Sequence, residues 1–557
     1  MKIAKVITGV ASVGLVAAVV IGAAYLPQPR YDATPVPITQ ATAGSATLTC
    51  TGNIQRLIET NVNPDDTEEE ISAWIGGFLP GNGAPLGGAT RYVPLDTEAE
   101  TAPSESAEDS DTDSPSGERS LGTNSAGLPI TAEILPSSFA SNTNLGQNQL
   151  LGAVTLDRSI VDLPQVMAGN AHLASAGDLR GVANNPCTWP TSSMWLVGGT
   201  TATGASNQLL LANPTGNSIQ VTLSAYGTSG AVVFRGNPVV NIPAYSTQAV
   251  PLDGLVGSQE RIALHLSAPA GRFSAAWQTT QLEGFTPRGI DVIKPSALGT
   301  DLMIPGIVLP AAPTPQDVIG EGEQAAEAAG EQGADGAEDP QSPENLEEPQ
   351  ALAQSDLVQE GYSAGLRIVN PTDSEAELSI WTIGEDGIEA PLPGAENTVI
   401  APEAVLDLTL DGIPAGPNAV RITSESTITA AAYISYTTDA GTDFAWLPSA
   451  DSLTQGSAAF GAVAAQLVVS PVHNQTQLTW HAYGDAGQEL GSETELISGT
   501  VAIDLPENTH YLTVEAGQPF WGSISGRADL ESDGGGIDSI PLLPALQQSA
   551  GSAIASR

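Results

Sequence analysis

Three stretches of the chain share one internal spacing, and that repetition constrains the fold more than any other feature. "LLLANPTGNSIQVTLSAYGTSG" (209–230) is echoed by "LRIVNPTDSEAELSIWTIGEDG" (366–387) and more faintly by "QLVVSPVHNQTQLTWHAYGDAG" (466–487). Pro214, Pro371 and Pro471 are each followed 12 residues later by the first residue of a turn phrase: "YGTSG" from Tyr226, "IGEDG" from Ile383 and "YGDAG" from Tyr483. Further on, "PLDGL" (251–255) matches "TLDGI" (409–413), so two copies agree over more than one strand. The repetition implies three copies of one folding unit.

The physics of that unit follows from parity. One side of a period-2 pattern reads Ile219, Val221, Leu223, Ala225, then Ala376, Leu378, Ile380, Thr382, then Thr476, Leu478, Trp480, Ala482. That side is expected to pack inward, and the mostly polar side between those positions to meet solvent or a partner. The alternation marks half-buried antiparallel strands, and the Gly-rich phrases supply the positive φ that hairpin turns need. Proline after Asn213, Asn370 and Ser470 stops each preceding strand because it cannot donate to a ladder. With 59 Gly, 41 Pro and only 14% charged residues, the chain reads as short strands joined by turns. The expected fold class is all-β: tandem immunoglobulin-like or fibronectin-like β-sandwich units behind one N-terminal transmembrane helix.

The N-terminus "MKIAKVITGVASVGLVAAVVIGAAYLPQP" carries Lys2 and Lys5 ahead of an uncharged run from Val6 to Leu26. At about 1.5 Å per residue this run just spans a hydrocarbon core of about 30 Å. Lysines before it and a long acidic remainder after it put the N-terminus in the cytoplasm and the bulk outside, single-pass in the plasma membrane. A cleaved signal peptide is the competing reading. A lipoprotein is disfavoured, since "ATLTC" lacks the small residue expected just before a lipidated cysteine. The only cysteines, Cys50 and Cys187, both lie on the exported side, where one disulfide is the simplest reading and two buried thiols the alternative.

Residues 96–118 and 313–360 hold 9 and 13 acidic residues and no Lys or Arg, so they are expected to be unfolded spacers. The alternation Asp109, Asp111, Asp113 lacks the glycine and terminal glutamate of a calcium loop. The expected organisation is a cytoplasmic N-terminus 1–5, an anchor 6–26, and an N-terminal segment 45–95 linked to the first sandwich. An acidic insert 96–127, sandwich one 128–312 and an acidic disordered linker 313–357 follow. Sandwich two spans 358–453, sandwich three 457–546 and a flexible tail 547–557. Residues 150–187 are expected to add strands to sandwich one or to form a partial fourth unit.

The N-terminal anchor, the first cysteine soon after it, "LLLANPT", "LRIVNPT" and "IPAYSTQAVPLDGL" (242–255) resemble an uncharacterised family of actinobacterial membrane-anchored envelope proteins, a domain of unknown function covering most of the exported part. Members of that family are encoded near glycosyltransferases and mannose-metabolism enzymes, so the resemblance implies a role around envelope glycoconjugates. It brings no catalytic residues. The acidic stretches at 96–118 and 313–360 are not part of the family's pattern.

Enzyme signatures are sparse. Five histidines (His172, His265, His473, His481, His510), no G-x-S-x-G elbow and neither an H-E-x-x-H helix nor a Cys/His cluster leave no expected catalytic or metal-binding residue. "AWIGGFLPGNGAPLGG" (73–88) lacks the G-K-[ST] ending of a phosphate loop. A carboxylate pair facing across a cleft remains the one enzymatic route that sequence leaves open. A formal charge of −46 repels nucleic acid. The expected function is therefore non-catalytic and cofactor-free: a scaffold or adaptor of the cell envelope, with envelope proteins or envelope polysaccharide as partners. The alternative is a glycan-binding module, because an exposed aromatic flanked by polar groups recognises sugar rings. Parity puts Trp381 on the outer face as that contact, while Trp480 falls on the inner one, and Trp277, Trp446 and Trp521 read as core or seam.

Overall fold

A computed structural model describes residues 46–52, 54, 69–78, 90–93, 96–97, 119–123, 129–135, 139–144, 153–156, 165–312, 358–439, 441–461, 463–530 and 535–545. The expected cytoplasmic N-terminus 1–5, anchor 6–26, tail 547–557 and almost all of the acidic stretches lie outside these residues. The described chain is nearly all-β in several sheets, and its one helix is the short Asp253–Val256. No helix among the described residues is long and apolar enough to cross a membrane.

The described residues form four copies of one two-sheet module, not three. In each, one sheet places the first strand beside the strand that also pairs with the third. In the second module these are Ser193–Val197, Ile262–Ser267 and Ile219–Gly227. The facing sheet runs Thr286–Ile293, Ser274–Glu283, Ala205–Asn213, Ser246–Pro251. The same order recurs in the fourth module, as Gly536–Pro541, the second half of Tyr511–Ala528, Ala464–Pro471 and Val501–Asp504. It recurs again near the N-terminus, as Gly181–Pro186, Gln165–Ala174, Glu69–Phe78 and Phe139–Asn144. Ala46–Thr49, Ala153–Leu156 and Thr90–Val93 form the other sheet there. The first module was read in pieces because its second strand has no Asn-Pro-Thr phrase and residues 98–118 interrupt it.

Several expected boundaries move. Strand Leu298–Leu309, placed at the end of sandwich one, pairs with Gly416–Thr438 and buries Leu302, Ile304, Ile307 and Leu309 in the third module's core. The strands on either side of 313–357, Leu298–Leu309 and Tyr362–Val369, therefore belong to one module, where a linker between two domains was expected. The flanks of that stretch meet, since Ala311 bridges Val358 and the Gln359 N–H donates to Pro310 O at 2.8 Å. The last module begins at Leu453–Ala459 rather than at 457. Likewise strands Pro129–Leu135, Phe139–Asn144, Ala153–Leu156, Gln165–Ala174 and Gly181–Pro186 belong to the first module and not to the second, and strands Asp96–Thr97 and Arg119–Thr123 lie where an acidic insert was expected.

Within the modules the parity reading describes the core. Ile219, Val221, Leu223 and Ala225, the four corresponding residues of 376–382, and those of 476–482 are all buried. The 23-residue strand Gly416–Thr438 serves both sheets of its module: its first half pairs with Ala376–Ile383 and its second with Tyr362–Val369. Tyr511–Ala528 does the same in the last module.

The repeated Asn-Pro-Thr phrase has a structural explanation. Asn213 donates Nδ2 to the carbonyls of Asn217, Ile242 and Pro243, while its Oδ1 accepts from Thr215 N and Oγ1. Asn370 repeats all five contacts with Ser374, Ile400, Ala401 and Thr372. Each buried amide thus fastens the turn after the second strand to the crossing segment opposite, which satisfies backbone carbonyls that would otherwise be stranded.

Candidate functional site: a charged hub and the outer faces

The last strands of the four modules, Gly181–Pro186, Thr286–Ile293, Gly441–Pro448 and Gly536–Pro541, converge on one charged hub. At its centre stands Asp443, fully buried. Its Oδ2 accepts from the backbone N–H of Val182 and of Ile537, both at 3.1 Å, and its Oδ1 accepts from Ile290 N–H at 3.3 Å. One carboxylate of the third module is thereby bonded to the first, second and fourth. Burial raises its pKa well above the ordinary range, against the pull of those amide donors. Glycine is required where the strands close on it. At Gly289 (φ 112°) a Cβ would lie 2.5 Å from Asp443 Oδ1, and at Gly181 (φ 139°) 2.6 Å from the same atom.

Beside Asp443 lies a second cluster. Lys294 Nζ donates to Asp291 Oδ1 at 3.0 Å and to Asp538 Oδ1 at 3.1 Å, and all three side chains are at most 1% exposed. Asp538 Oδ2 accepts from Asn184 N at 2.7 Å and from Asn184 Nδ2 at 2.8 Å. Asn184 is fixed in turn, through Nδ2 to Gly461 O and through Oδ1 to Gly461 N. Asp291 Oδ2 accepts from Trp446 N at 2.7 Å, reaching the third module. Burial pushes Asp291 up to about 6 despite the Lys294 ammonium beside it. Burial also opposes the Lys294 charge, but the two carboxylates outweigh it and hold that pKa above its usual value.

The seams around the hub use apolar packing and one charged fork. Arg367 grips Asp407 with two bonds of 2.9 Å, donates to Ile262 O at 3.2 Å and to Gly199 O, and stacks 4.8 Å over Trp446. This joins the third module to the second. Met167 and Ala171 pack with Ala459 and Tyr511, so the first module meets the fourth and the circuit closes.

Cys50 and Cys187 are bonded, with S–S 1.96 Å. They follow the first and last strands of the first module, where Thr49 and Thr188 exchange two backbone hydrogen bonds of 2.9 Å. The bridge therefore clamps one module at its base.

Trp381 lies on the outer side of Ala376–Ile383, half-buried rather than a free platform. It stands opposite Pro391 and Arg421, and Arg421 forks onto Asp301 at 2.9 and 2.8 Å and reaches Glu389 at 2.7 Å. An apolar ring edged by charged groups results. Trp277 and Trp480 are core residues, Trp446 is buried at a seam, and Trp521 packs beside Met303 and Ile383 of the neighbouring module. On the second module's outer face Ser193 Oγ sits 2.9 Å from His265 Nε2, and His265 stacks on Trp195 at 4.7 Å. Burial lowers the His265 pKa, because desolvation penalises the charged ring.

The hub escaped the sequence reading, although two signals were present. Gly-x-Asp followed within five residues by proline stands in three hub strands as "GID" (289–291), "GTD" (441–443) and "GID" (536–538), and also outside the hub at 299–301, 333–335 and 384–386. Lys294 is also the sole lysine after Lys5. Among the described residues no group of three or more His, Cys, Asp and Glu is arranged to hold a metal ion.

Residues 153–506 match a family of unknown function, DUF5719. The match takes in Asn184, Asp291, Lys294 and Asp443 and stops before Asp538. No curated protein matches the chain.

Proposed function

The chain belongs to this family of unknown function, and from that premise we propose that it is a non-catalytic scaffold or adaptor of the cell envelope. In this reading it is anchored by residues 6–26, with four immunoglobulin-like sandwiches outside the membrane and envelope proteins as partners. The observation that carries the reading is the hub. The most strongly perturbed carboxylates, Asp291 and Asp443, bond to one another's modules and not into an open cleft. Buried polar groups fully engaged in this way fix one arrangement of the parts, which suits a body that presents surfaces to partners. Actinobacterial origin and an envelope setting come from the resemblance in the N-terminal and Asn-Pro-Thr phrases.

In-cell cross-linking followed by identification of the captured chains tests this. Reproducible links from the outer sheet faces to a membrane protein support the adaptor. Turnover of a glycosyl substrate, abolished by one carboxylate-to-amide change, would overturn it. A second reading, glycan binding, draws on Trp381 with Arg421 and Glu389 at its edge, an aromatic surface bounded by hydrogen-bonding groups. Retention on isolated envelope polysaccharide that is lost in Trp381→Ala would favour it.

A further inference from the structure

Lysine is almost absent from this chain beyond Lys5, while arginine occurs throughout, yet the single exception is wholly buried at the hub. Lysine takes such a position only with partners. For an ion pair alone arginine is the better residue, since its planar fork meets a carboxylate with two bonds. The chain does use arginine at its other inter-module ion pair, where Arg261 of the second module reaches Asp407 of the third at 3.3 Å. What lysine offers and arginine does not is a compact amine that becomes a nucleophile once it loses a proton.

The groups around Lys294 fit that chemistry. Its Nζ lies 3.1 Å from one oxygen of the Asp538 carboxyl, a hydrogen bond that holds the amine against that carboxyl group in a site closed to solvent. The other oxygen, Oδ2, receives two donors, Asn184 N at 2.7 Å and Asn184 Nδ2 at 2.8 Å. Paired donors on one oxygen stabilise the negative charge that develops there when the carbonyl carbon is attacked. Asp291 Oδ1 stands 3.0 Å from the amine, placed to take its proton. Its upward shift to about 6 makes it a stronger base than an ordinary aspartate.

We propose that Lys294 and Asp538 condense into an intramolecular amide that ties the second module covalently to the fourth. Nζ gives up a proton to Asp291 and bonds to Cγ of Asp538, and the charge gathers on Oδ2 against Asn184. The Cγ–Oδ1 bond then breaks. Two of the three ammonium protons, relayed by Asp291, depart with Oδ1 as water, and the third stays on the amide nitrogen. Ammonium and carboxylate become amide and water, nothing is oxidised or reduced, and Asp291 ends as it began. Exclusion of solvent favours the condensed side.

The test is the intact mass of the full chain, reduced and denatured, beside Lys294→Met. Comparing the two cancels any processing of the N-terminus. The wild type is expected one water lighter than its sequence requires relative to the variant. Fragmentation should yield a branched peptide joining Lys294 to Asp538, and an amine-reactive label applied after denaturation should miss Lys294. A wild type at full mass with Lys294 labelled overturns the proposal, and this holds even if no variant folds. Asp291→Asn, checked by circular dichroism for a folded state, should stay at full mass; condensation undiminished in that variant would remove the proton relay.

Discussion

Asn213 and Asn370 occupy equivalent places in two modules and make the same five contacts. Asp291, Asp443 and Asp538 also occupy equivalent places in three modules and make different ones. Asp443 gathers amides from the other three modules, Asp291 takes Lys294 and Trp446, and Asp538 takes Lys294 and Asn184. The asparagines solve a problem internal to each module, so the solution can be copied. The aspartates lie where four modules meet, and a hub filled by four identical anions would repel itself at close range. Divergence at the hub is thus the condition for closing the body around it, and one lysine, one asparagine and three aspartates is the form it takes.

The largest effect that sharpens this contrast is expected from Asp443→Ala. It strands the N–H groups of Val182, Ile290 and Ile537, and at upwards of about 1 kcal/mol for each buried donor left without an acceptor the loss is roughly 3–5 kcal/mol. Denaturant unfolding followed by tryptophan fluorescence measures it, and a cost under about 1 kcal/mol would remove Asp443 from the centre of the account.

Asn370→Ala should cost less, about 2 kcal/mol, because it leaves uncharged carbonyls unpaired. Its effect should be local. Limited proteolysis is expected to open the turn at 371–375 while the other modules stay intact, and cleavage spread over all four modules would break the distinction between copied and shared contacts.

A smaller signature is a pH dependence. The folded pKa of Asp443 is raised by burial, so the folded state holds that proton more tightly than the unfolded chain. The contribution is present below the ordinary carboxylate value, about 4, and is lost as pH rises through the folded value. Asp443→Asn has no proton to lose there, so its melting temperature should fall less between pH 4 and pH 7 than that of the wild type. A steeper fall in the variant would contradict the assignment.

Smallest of all is Trp381→Ala, at about 1 kcal/mol or less for a half-buried side chain on an outer face. A thermal melt checks it. A cost several times larger would make Trp381 a structural residue and end its candidacy as a sugar contact.

The contrast also explains what was legible. Alternation fixes which of Ile219 to Ala225 face inward, because two-residue periodicity is a local property of a strand. The repeated turn phrases betrayed three modules by their spacing. The first module showed only as a candidate partial unit at 150–187, since an acidic stretch interrupts it and its second strand "EEISAWIGGF" carries no Asn-Pro-Thr phrase. The hub was out of reach for a different reason. Asn184 and Asp538 are 354 residues apart, and no spacing rule connects partners whose meeting depends on how whole modules assemble. Trp381 was placed on the correct face, but its half-burial depends on Pro391 opposite and on Arg421, whose own position depends on Asp301 from a strand 120 residues earlier.

Native-state hydrogen exchange tests the central claim most directly, read at the amides of Val182, Ile290 and Ile537 in wild type and in Asp443→Ala. If one carboxylate closes the body, all three are strongly protected in the wild type, and the substitution accelerates exchange in the last strands of all four modules together. Faster exchange confined to Gly441–Pro448 would contradict it and leave four modules that merely touch.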